Sequence, residues 1–367
     1  MALRMEGPVG PRTLISGREV DYFSGTGYLG LQNDPRVLQA AAEALKQYGL
    51  STATSRGGYG EHPLFDAIEG AAAAFFGTEH AAYLPSGYLG AAILAQGLQA
   101  RYDAIFIDSQ AHFSIWDAAR STSREIHTFE HCEPESLRAT CRKQLRAGQR
   151  PLVLSDGVFP ISGEVAPARE YLDILESFDG VLALDDAHAA GVIGPHGRGT
   201  LDYWNIDSSH AFSSATLSKA LGGFGGILPG SRALLQELGQ HSRIPDAVSP
   251  PPLPIAAAAA QGLKIAAAEP ERREALWRNV RQARTGLRQL GWVLPDLPVP
   301  IICLCARPGV DLGQLKAGLF ERGIAIAHVT TYSSTPTGGA LRIAIFATHT
   351  PSQIDRLVTA LAELLSV

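Results

Sequence analysis

The chain has 367 residues, of which 46% are hydrophobic and 18% charged, so it is long enough for a large core and more than one domain. Its net charge of −5 provides no basic surface for a phosphate backbone, and we expect no nucleic-acid partner. No stretch reaches the ~18 uninterrupted apolar residues of a membrane helix, and we expect no membrane association.

The N-terminal sequence MALRMEGPVGPRTLISG has no apolar core of signal-peptide length. The four cysteines, Cys132, Cys141, Cys303 and Cys305, fit no zinc-binding spacing. A few thiols without a signal peptide are typical of a reducing compartment. These features predict a cytoplasmic protein without a metal site.

The elements predicted along the chain alternate between short apolar strands and helices. Strands are predicted at 104–108, 125–129, 152–155, 181–185, 210–214 and 225–229, and helices at 134–147 and 168–178. This alternation predicts an α/β domain with a mostly parallel sheet.

A Pro-rich stretch at 249–254 interrupts this pattern and indicates a boundary. A long helical region, 255–290, follows it, and then a smaller α/β unit with strands near 301–305, 324–328 and 341–346. We therefore expect three parts, which are an N-terminal segment over 1–44, a large domain over 45–248 and a small C-terminal domain over 249–367.

The residues from Gly25 to Gly30 spell G-x-G-x-x-G after the strand-like EVDYF. A dinucleotide site would need a helix that begins at these glycines and an acidic residue about 20 positions further on. Instead, Asp34 and Pro35 begin the next helix as a cap and a first-turn proline, and TATSRGGYG stands where the acid is needed. The glycines therefore indicate a plain turn.

Four segments follow predicted strands, at the edge where open parallel sheets bind ligands. The first is Ser86-Gly87-Tyr88, a small turn into a helix whose backbone N–H groups could bind a phosphate. The alternative is an ordinary strand-to-helix turn, since any such turn could also use Ser-Gly.

The second segment contains His112. This residue is either a capping or exposed histidine, or an imidazole that stacks on a flat ring and assists proton transfer.

The third segment is DDAHAAGVIGPHGRG, in which Asp185 ends a buried strand. A carboxylate there needs a partner, and a pyridinium nitrogen would be one, since the acid keeps that nitrogen protonated. His188 could reach the phenolic oxygen of the same ligand. The alternative is that Asp185 and Asp186 are turn residues and helix caps.

The fourth segment is SSATLSKALGGFGG, in which Lys219 has small and apolar neighbours and no acid. An amine that loses hydration there has a pKa below its usual value of about 10.4, which frees it for imine formation. The hydroxyls of Ser213, Thr216 and Ser218 could bind phosphate. A lone lysine is otherwise a solvated surface charge, but the four segments in this order supply every group that binds pyridoxal phosphate.

Several motifs together resemble the α-oxoamine synthase family of fold-type I pyridoxal-phosphate enzymes, whose members include 8-amino-7-oxononanoate synthase and 2-amino-3-ketobutyrate CoA ligase. From about Tyr22 onward they are YLGL, PSGYLGA, DSQAHFS, DGVFPISGEVAP, DDAHAAGVIGPHGRG, TLSKALGG and LRIAIFATHT. The resemblance implies a large domain with a mostly parallel seven-stranded sheet and a smaller C-terminal α/β domain.

The resemblance also implies a role for each matching residue. Ser86, Gly87, Tyr88 and Thr216 would lie at the cofactor phosphate, His112 on its ring, Asp185 at the ring nitrogen, His188 at the ring hydroxyl, and Lys219 would hold the cofactor as an internal aldimine. Arg342 would bind the substrate carboxylate through its bidentate fork. Catalysis would involve Lys219, His112, Asp185 and His188.

The activity implied by the family is the condensation of a small amino acid with an acyl thioester, on CoA or a carrier protein, with decarboxylation to an α-amino ketone. The family is dimeric, so we expect a homodimer with the active site at the interface. Three segments depart from the family pattern: the leading helix before Asp21 is largely missing, STATSRGGYGEH is short, and Pro160 replaces a serine.

Two other functions stay open. One is an aminotransferase that acts on an amino acid and a 2-oxo acid. The other is a non-catalytic partner subunit or ligand sensor, although a dead subunit would not need Lys219 together with Asp185 and His188.

Overall fold

The computed structural model describes residues 3–366. Its strands, in chain order, are β1 (Arg12–Ile15), β2 (Arg18–Tyr22), β3 (His80–Leu84), β4 (Ala104–Asp108), β5 (Glu125–Phe129), β6 (Pro151–Asp156), β7 (Val181–Asp185), β8 (Ala211–Thr216), β9 (Gly226–Gly230), β10 (Ile301–Cys305), β11 (Ile324–Ala325), β12 (Ala327–Val329) and β13 (Ala340–Ala344).

The helices surround these strands. They are α1 (Pro35–Tyr48), α2 (Pro63–Phe76), α3 (Gly90–Gly97), α4 (Phe113–Arg120), α5 (Pro134–Gln144), α6 (Ala168–Glu176), α7 (Thr200–Tyr203), α8 (Arg232–His241), α9 (Ile244–Ala247), α10 (Leu253–Ala268), α11 (Glu271–Gln289), α12 (Leu312–Glu321) and α13 (Pro351–Leu365).

The large sheet has seven strands in the order β3-β9-β8-β7-β6-β4-β5. Strand β9 is antiparallel to both of its neighbours, and the other pairings are parallel. Every residue of β4, β6, β7 and β8 is buried, as expected of central strands covered on both faces. One core lies between the sheet and α3 and α4, and another lies beneath α5 and α6. The predicted fold class is confirmed.

Most predicted strands of the large sheet lie within two residues of the observed ones, and 104–108, 125–129 and 181–185 coincide with β4, β5 and β7. The predicted helical region 255–290 is two helices, α10 and α11, separated at Pro270. Proline has no backbone N–H to continue a helix. The predicted strand at 324–328 is also divided, into β11 and β12, which join different sheets.

Two small sheets complete the architecture. Strands β10, β13 and β12 form an antiparallel sheet, and β1, β2 and β11 form another, in which β2 pairs with the C-terminal β11 in parallel. Helix α1 continues past residue 44, the expected end of the N-terminal segment, and packs against α10. The division of the chain at residues 44 and 248 stays a prediction.

The glycine turn after β2 leads to the predicted capped helix. The Asp34 carboxylate accepts the Arg36 N–H at 3.0 Å, and Pro35 is the first residue of α1. Because β2 belongs to a small sheet rather than the large, mostly parallel one, this turn does not lie where a dinucleotide fold binds its ligand.

Over residues 3–366, the helices lack the combination of length and apolar character that crossing a membrane requires.

Candidate active site

A cavity of about 430 Å³ lies at the carboxyl edge of the large sheet. Strands β7 and β8 end there, and loops from the C-terminal part of the chain cover it. The structure brings all of the sequence-predicted site residues to the lining of this one cavity: Ser86, Gly87, Tyr88, His112, Asp185, His188, Thr216, Lys219 and Arg342. Parallel strands end at a common edge, which explains why residues far apart in the chain meet here.

Lys219 and Asp185 are the amine and the carboxyl group at the centre of the cavity. Asp185 is the last residue of β7 and is buried, with Oδ1 accepting the Ala187 N–H at 3.0 Å. Burial raises the pKa of Asp185, although the positive charge of Lys219 acts against this. Burial likewise lowers the pKa of Lys219, against the attraction of Asp185. The cavity therefore favours an uncharged amine more than water does.

His112 is held on both ring nitrogens. It is the N-cap of α4, where Nδ1 accepts the Ser114 N–H at 3.2 Å, while Nε2 lies 2.7 Å from the Tyr332 hydroxyl. Its own backbone N–H donates to Asp156 at 2.7 Å. Burial lowers the pKa of His112, with Asp185 acting in the opposite direction. The capping role that the sequence left open is present, and the same imidazole also lines the cavity.

His188 is part of a buried hydrogen-bonded chain. The Arg342 guanidinium donates to the Tyr28 hydroxyl at 3.1 Å, and that hydroxyl lies 2.8 Å from His188 Nδ1. The Arg342 guanidinium can only donate, so a Tyr28 hydroxyl that donates its own hydrogen to Nδ1 satisfies all three groups. Burial lowers the pKa of His188 well below its usual value. In this arrangement the neutral ring carries its hydrogen on Nε2, which is then a donor.

Arg342 is a buried cation in the wall of the cavity. Its Nε donates to the Pro160 carbonyl at 2.6 Å and Nη1 to the Gly25 carbonyl at 3.1 Å. Arg342 is only 6% exposed. Even so, no carboxylate among residues 3–366 forms a salt bridge with it. A buried guanidinium without a counter-ion suits an anionic ligand.

A small concavity lies between the turn after β3 and the end of β8. Ser86 begins the 3-10 turn Gly87–Leu89 by accepting the Tyr88 N–H at 3.2 Å. A Cβ atom on Gly87 would lie 2.6 Å from Thr216 Cβ, so only glycine allows this close approach. The Thr216 and Ser218 hydroxyls lie 2.8 Å apart on the other side. Hydroxyls and turn amides in such a space are suited to an oxyanion such as phosphate.

Comparison with known proteins places this geometry in a family. The model of the class I and II aminotransferases matches residues 23–361. A putative 8-amino-7-oxononanoate synthase of Desulforudis audaxviator is 34% identical over 99% of this chain and 94% of its own length. The chain belongs to the class I and II aminotransferase family, in its α-oxoamine synthase branch.

Solved structures of other α-oxoamine synthases have the same fold. Serine palmitoyltransferase of Sphingomonas wittichii superposes with a TM-score of 0.91 and 28% identity, over 99% of this chain and 91% of its own. A variant serine palmitoyltransferase from S. paucimobilis, solved with a bound pyridoxal phosphate–myriocin adduct, gives 0.90 and 26%, over 99% and 92% of the two chains.

Other residues in the cavity of this α-oxoamine synthase were not predicted from its sequence. They are Ser114, Asp156 and Tyr332 in the lining, and Tyr28 behind it, where it contacts His188 and Arg342. Asp156 had a usable signal, because β6 ends one residue later than predicted and Asp156 then occupies the same strand-end position as Asp185. Tyr332 had none, since it lies in a loop between β12 and β13 without a distinctive pattern.

Asp186 has the structural role that was the alternative for the pair Asp185-Asp186. Its carboxylate accepts the Thr200 N–H at 3.0 Å and the Thr200 hydroxyl at 2.6 Å, at the start of α7. Burial raises its pKa to about 7. The two neighbouring acids thus differ, since Asp186 anchors a helix and Asp185 lines the cavity.

Proposed function

We propose that this chain is a pyridoxal-phosphate-dependent α-oxoamine synthase that joins a small amino acid to an acyl thioester, on CoA or a carrier protein, with loss of carbon dioxide. The main support is one cavity that contains a desolvated lysine, a buried strand-end aspartate and a buried arginine without a counter-ion. The membership of the family supports the same reaction.

The residues of the cavity fit pyridoxal phosphate. The Gly87 turn, with Ser86, Tyr88, Thr216 and Ser218, would hold the phosphate, and the close approach of Gly87 to Thr216 would bring the turn amides and the hydroxyls to the same anion. Asp185 would hold a proton on the ring nitrogen, His188 would donate from Nε2 to the ring oxygen, and His112 would cover one face of the ring. Lys219 would be the covalent anchor. The bound cofactor would supply an electron sink for the α-carbon of an amino acid.

The protein groups divide the remaining work. The guanidinium of Arg342 would orient the amino acid by its carboxylate, and the uncharged amine of Lys219 would take the α-proton. Overall, a bond forms between the α-carbon and the acyl carbon, while the carbon–sulfur bond of the thioester and the bond to the carboxylate break. The thiol and carbon dioxide leave, and an α-amino ketone remains.

Thiol release is the direct test of this function. The purified protein, loaded with pyridoxal phosphate, is mixed with a panel of amino acids and acyl-CoA thioesters in the presence of a thiol reagent. We expect thiol release that depends on one amino acid and is accompanied by an equal amount of carbon dioxide. Transfer of nitrogen to a 2-oxo acid without thiol release would instead identify an aminotransferase.

The substitution Lys219→Ala tests the anchor itself. We expect the wild-type protein to have a visible absorption band that borohydride abolishes, and Lys219→Ala to lack it and to be inactive. Lys264→Ala, in α10 and outside the cavity lining, is the matched control and should keep both properties. A colourless wild-type protein would favour the non-catalytic alternative.

We also propose that the chain is a homodimer with its active site at the interface. Four apolar side chains, Leu38, Leu45, Tyr48 and Leu50, are 42% to 69% exposed on α1 and just after it. Positions 38, 45 and 48 share one face of the helix, and an exposed apolar stripe is typical of a protein interface. Analytical ultracentrifugation of the wild-type protein and of Leu45→Glu tests this, since the variant should dissociate at concentrations where the wild type does not.

The cytoplasm remains the proposed compartment. The four cysteines are all free in the structure, which is typical of a reducing environment.

A further inference from the structure

Tyr332 brings a phenol hydroxyl to the cavity from the C-terminal part of the chain. It lies in the loop between β12 and β13, and β13 is the strand that carries Arg342. Its backbone N–H donates to Thr335 Oγ1 at 3.0 Å, the Thr335 N–H donates back to its carbonyl at 3.1 Å, and its ring packs edge-on against Phe113 at 5.4 Å between ring centroids. The loop and the neighbouring ring therefore fix the direction of this side chain.

The hydrogen of the Tyr332 hydroxyl has no acceptor within residues 3–366 when His112 carries its own hydrogen on Nε2. His112 Nδ1 faces two groups of Ser114 that can donate to it, the backbone N–H at 3.2 Å and the hydroxyl at 2.7 Å. With Nδ1 as the acceptor, the neutral imidazole carries its hydrogen on Nε2. Nε2 then donates to the Tyr332 oxygen at 2.7 Å. Within residues 3–366 this oxygen has no other hydrogen-bond partner, and the side chain of Tyr332 is 43% exposed. Its own hydrogen is thus free to bind a ligand in the cavity.

We infer that Tyr332 donates this hydrogen to the carbonyl oxygen of the acyl thioester. The inference rests on the proposed function, in which the α-carbon attacks that carbonyl and negative charge develops on its oxygen. A positioned donor at such an oxygen stabilises the transition state. The other strong donors are already assigned, since Arg342 would bind the amino-acid carboxylate and Lys219 would handle the α-proton. The hydrogen bond from His112 holds the phenol in this orientation.

Binding of inert substrate analogues gives a test without turnover. One analogue replaces the thioester sulfur by a methylene and keeps the carbonyl, and the other is a thioether that lacks the carbonyl oxygen. Tyr332→Phe removes only the hydroxyl and keeps the ring against Phe113. We expect it to weaken binding of the first analogue by about 2- to 10-fold, the value of a neutral hydrogen bond, and to leave the second unchanged. Equal affinity of both proteins for the ketone would overturn the inference.

Kinetics separate this role from simple positioning of His112. For Tyr332→Phe we expect kcat for thiol release to fall by about 100- to 1,000-fold, as for loss of one oxyanion donor. Exchange of the amino-acid α-proton with solvent, measured without thioester, should stay as in the wild type. Tyr203→Phe, a phenol outside the cavity lining, is the control and should behave as wild type.

The outcomes distinguish the inference from the proposed function. If the wild type releases no thiol with any pair of substrates, the proposed function fails and the inference fails with it. If the wild type releases thiol and Tyr332→Phe does so equally fast, only the inference fails. A matched loss of α-proton exchange and thiol release would also overturn it, since the phenol would then act only through His112.

Discussion

Asp156 and Asp185 are register partners at the carboxyl ends of the neighbouring parallel strands β6 and β7. Both carboxyl groups are buried, and two such groups cannot both carry a charge in this environment. Burial raises the pKa of Asp156 well above its usual value, and the negative charge of Asp185 raises it further. Burial raises the pKa of Asp185 as well, but the proximity of Lys219 opposes this rise. Because the pKa of Asp156 is raised further than that of Asp185, we expect Asp156 to be the member of the pair that stays protonated.

Exchange of each acid for its amide should therefore have unequal effects. Asp156→Asn keeps an acceptor for the His112 N–H and removes no charge, so kcat should stay within about tenfold of the wild type. Asp185→Asn removes the carboxylate that would hold the proton of the cofactor ring, and kcat should fall by about 100-fold or more. Thiol-release kinetics of the two variants measure this. Equal losses would mean that Asp156 carries the charge.

The raised pKa of Asp156 also predicts a pH dependence of stability. A group whose pKa is raised on folding contributes stability that is fully present below its unfolded value, 3.8 here, and is lost as the pH rises through the folded value. Asp156→Asn has no such group. Its free energy of unfolding, measured with urea, should therefore decline less than that of the wild type as the pH rises above 3.8. Parallel pH profiles would contradict this.

Gly87→Ala should disturb the proposed phosphate cradle. The added Cβ would lie 2.6 Å from Thr216 Cβ, and overpacking of this kind costs about 1–3 kcal/mol of stability. We expect weaker binding of pyridoxal phosphate to the apoprotein, followed by absorbance. Gly70→Ala in α2 is the matched control, because nothing lies within 4 Å of its Cβ and alanine should stabilise the helix by about 0.5–1 kcal/mol. Unchanged affinity in Gly87→Ala would argue against the cradle.

His131 connects two carboxylates outside the cavity. Its Nδ1 lies 2.8 Å from the fully buried Asp108, and Nε2 lies 3.0 Å from Glu164. Burial lowers the pKa of His131, but the hydrogen bonds to Asp108, Cys132 and Glu164 outweigh this and raise the pKa to about 12. His131→Ala should cost about 3–5 kcal/mol, because it leaves a buried charge without its partner.

The pH dependence of this loss follows from the raised pKa. The contribution of His131 to the free energy of unfolding is complete below its unfolded pKa of 6.5, and it decreases as the pH rises towards about 12. The difference between wild type and His131→Ala in chemical denaturation should therefore be largest below pH 6.5. Glu164→Gln, at the half-exposed end, should cost no more than about 1 kcal/mol. A loss for His131→Ala that grows with pH would refute the charged histidine.

Arg342→Lys tests recognition of the amino-acid carboxylate. Lysine keeps the charge but loses the fork, so the KM for the amino acid should rise by about 10- to 100-fold, the value of a charge-assisted hydrogen bond. The KM for the thioester should change little. Arg307→Lys, which lies outside the cavity lining, should leave both values unchanged. An equal rise of both KM values in Arg342→Lys would indicate a general distortion instead.

The sequence by itself determined the alternation of strands and helices and three strand-end groups of the site. These properties are local, because periodicity and burial of a strand depend on residues only a few positions apart. Asp185 ends a parallel strand of the large sheet, His112 and Lys219 follow two others, and the common edge of these strands brings the three residues together. The place of Arg342 came from the family resemblance rather than from any local pattern.

Only the tertiary structure decided which remote loops complete the cavity. The bond between His112 and Tyr332 joins residues 220 positions apart, and that between Arg342 and Tyr28 joins residues 314 apart. Such contacts depend on how packed elements place their loops, and no short window of sequence contains that information. Asp156 and Asp185 lie side by side because of the register of β6 and β7. That register is also set by tertiary structure, through the packing of both faces of the sheet.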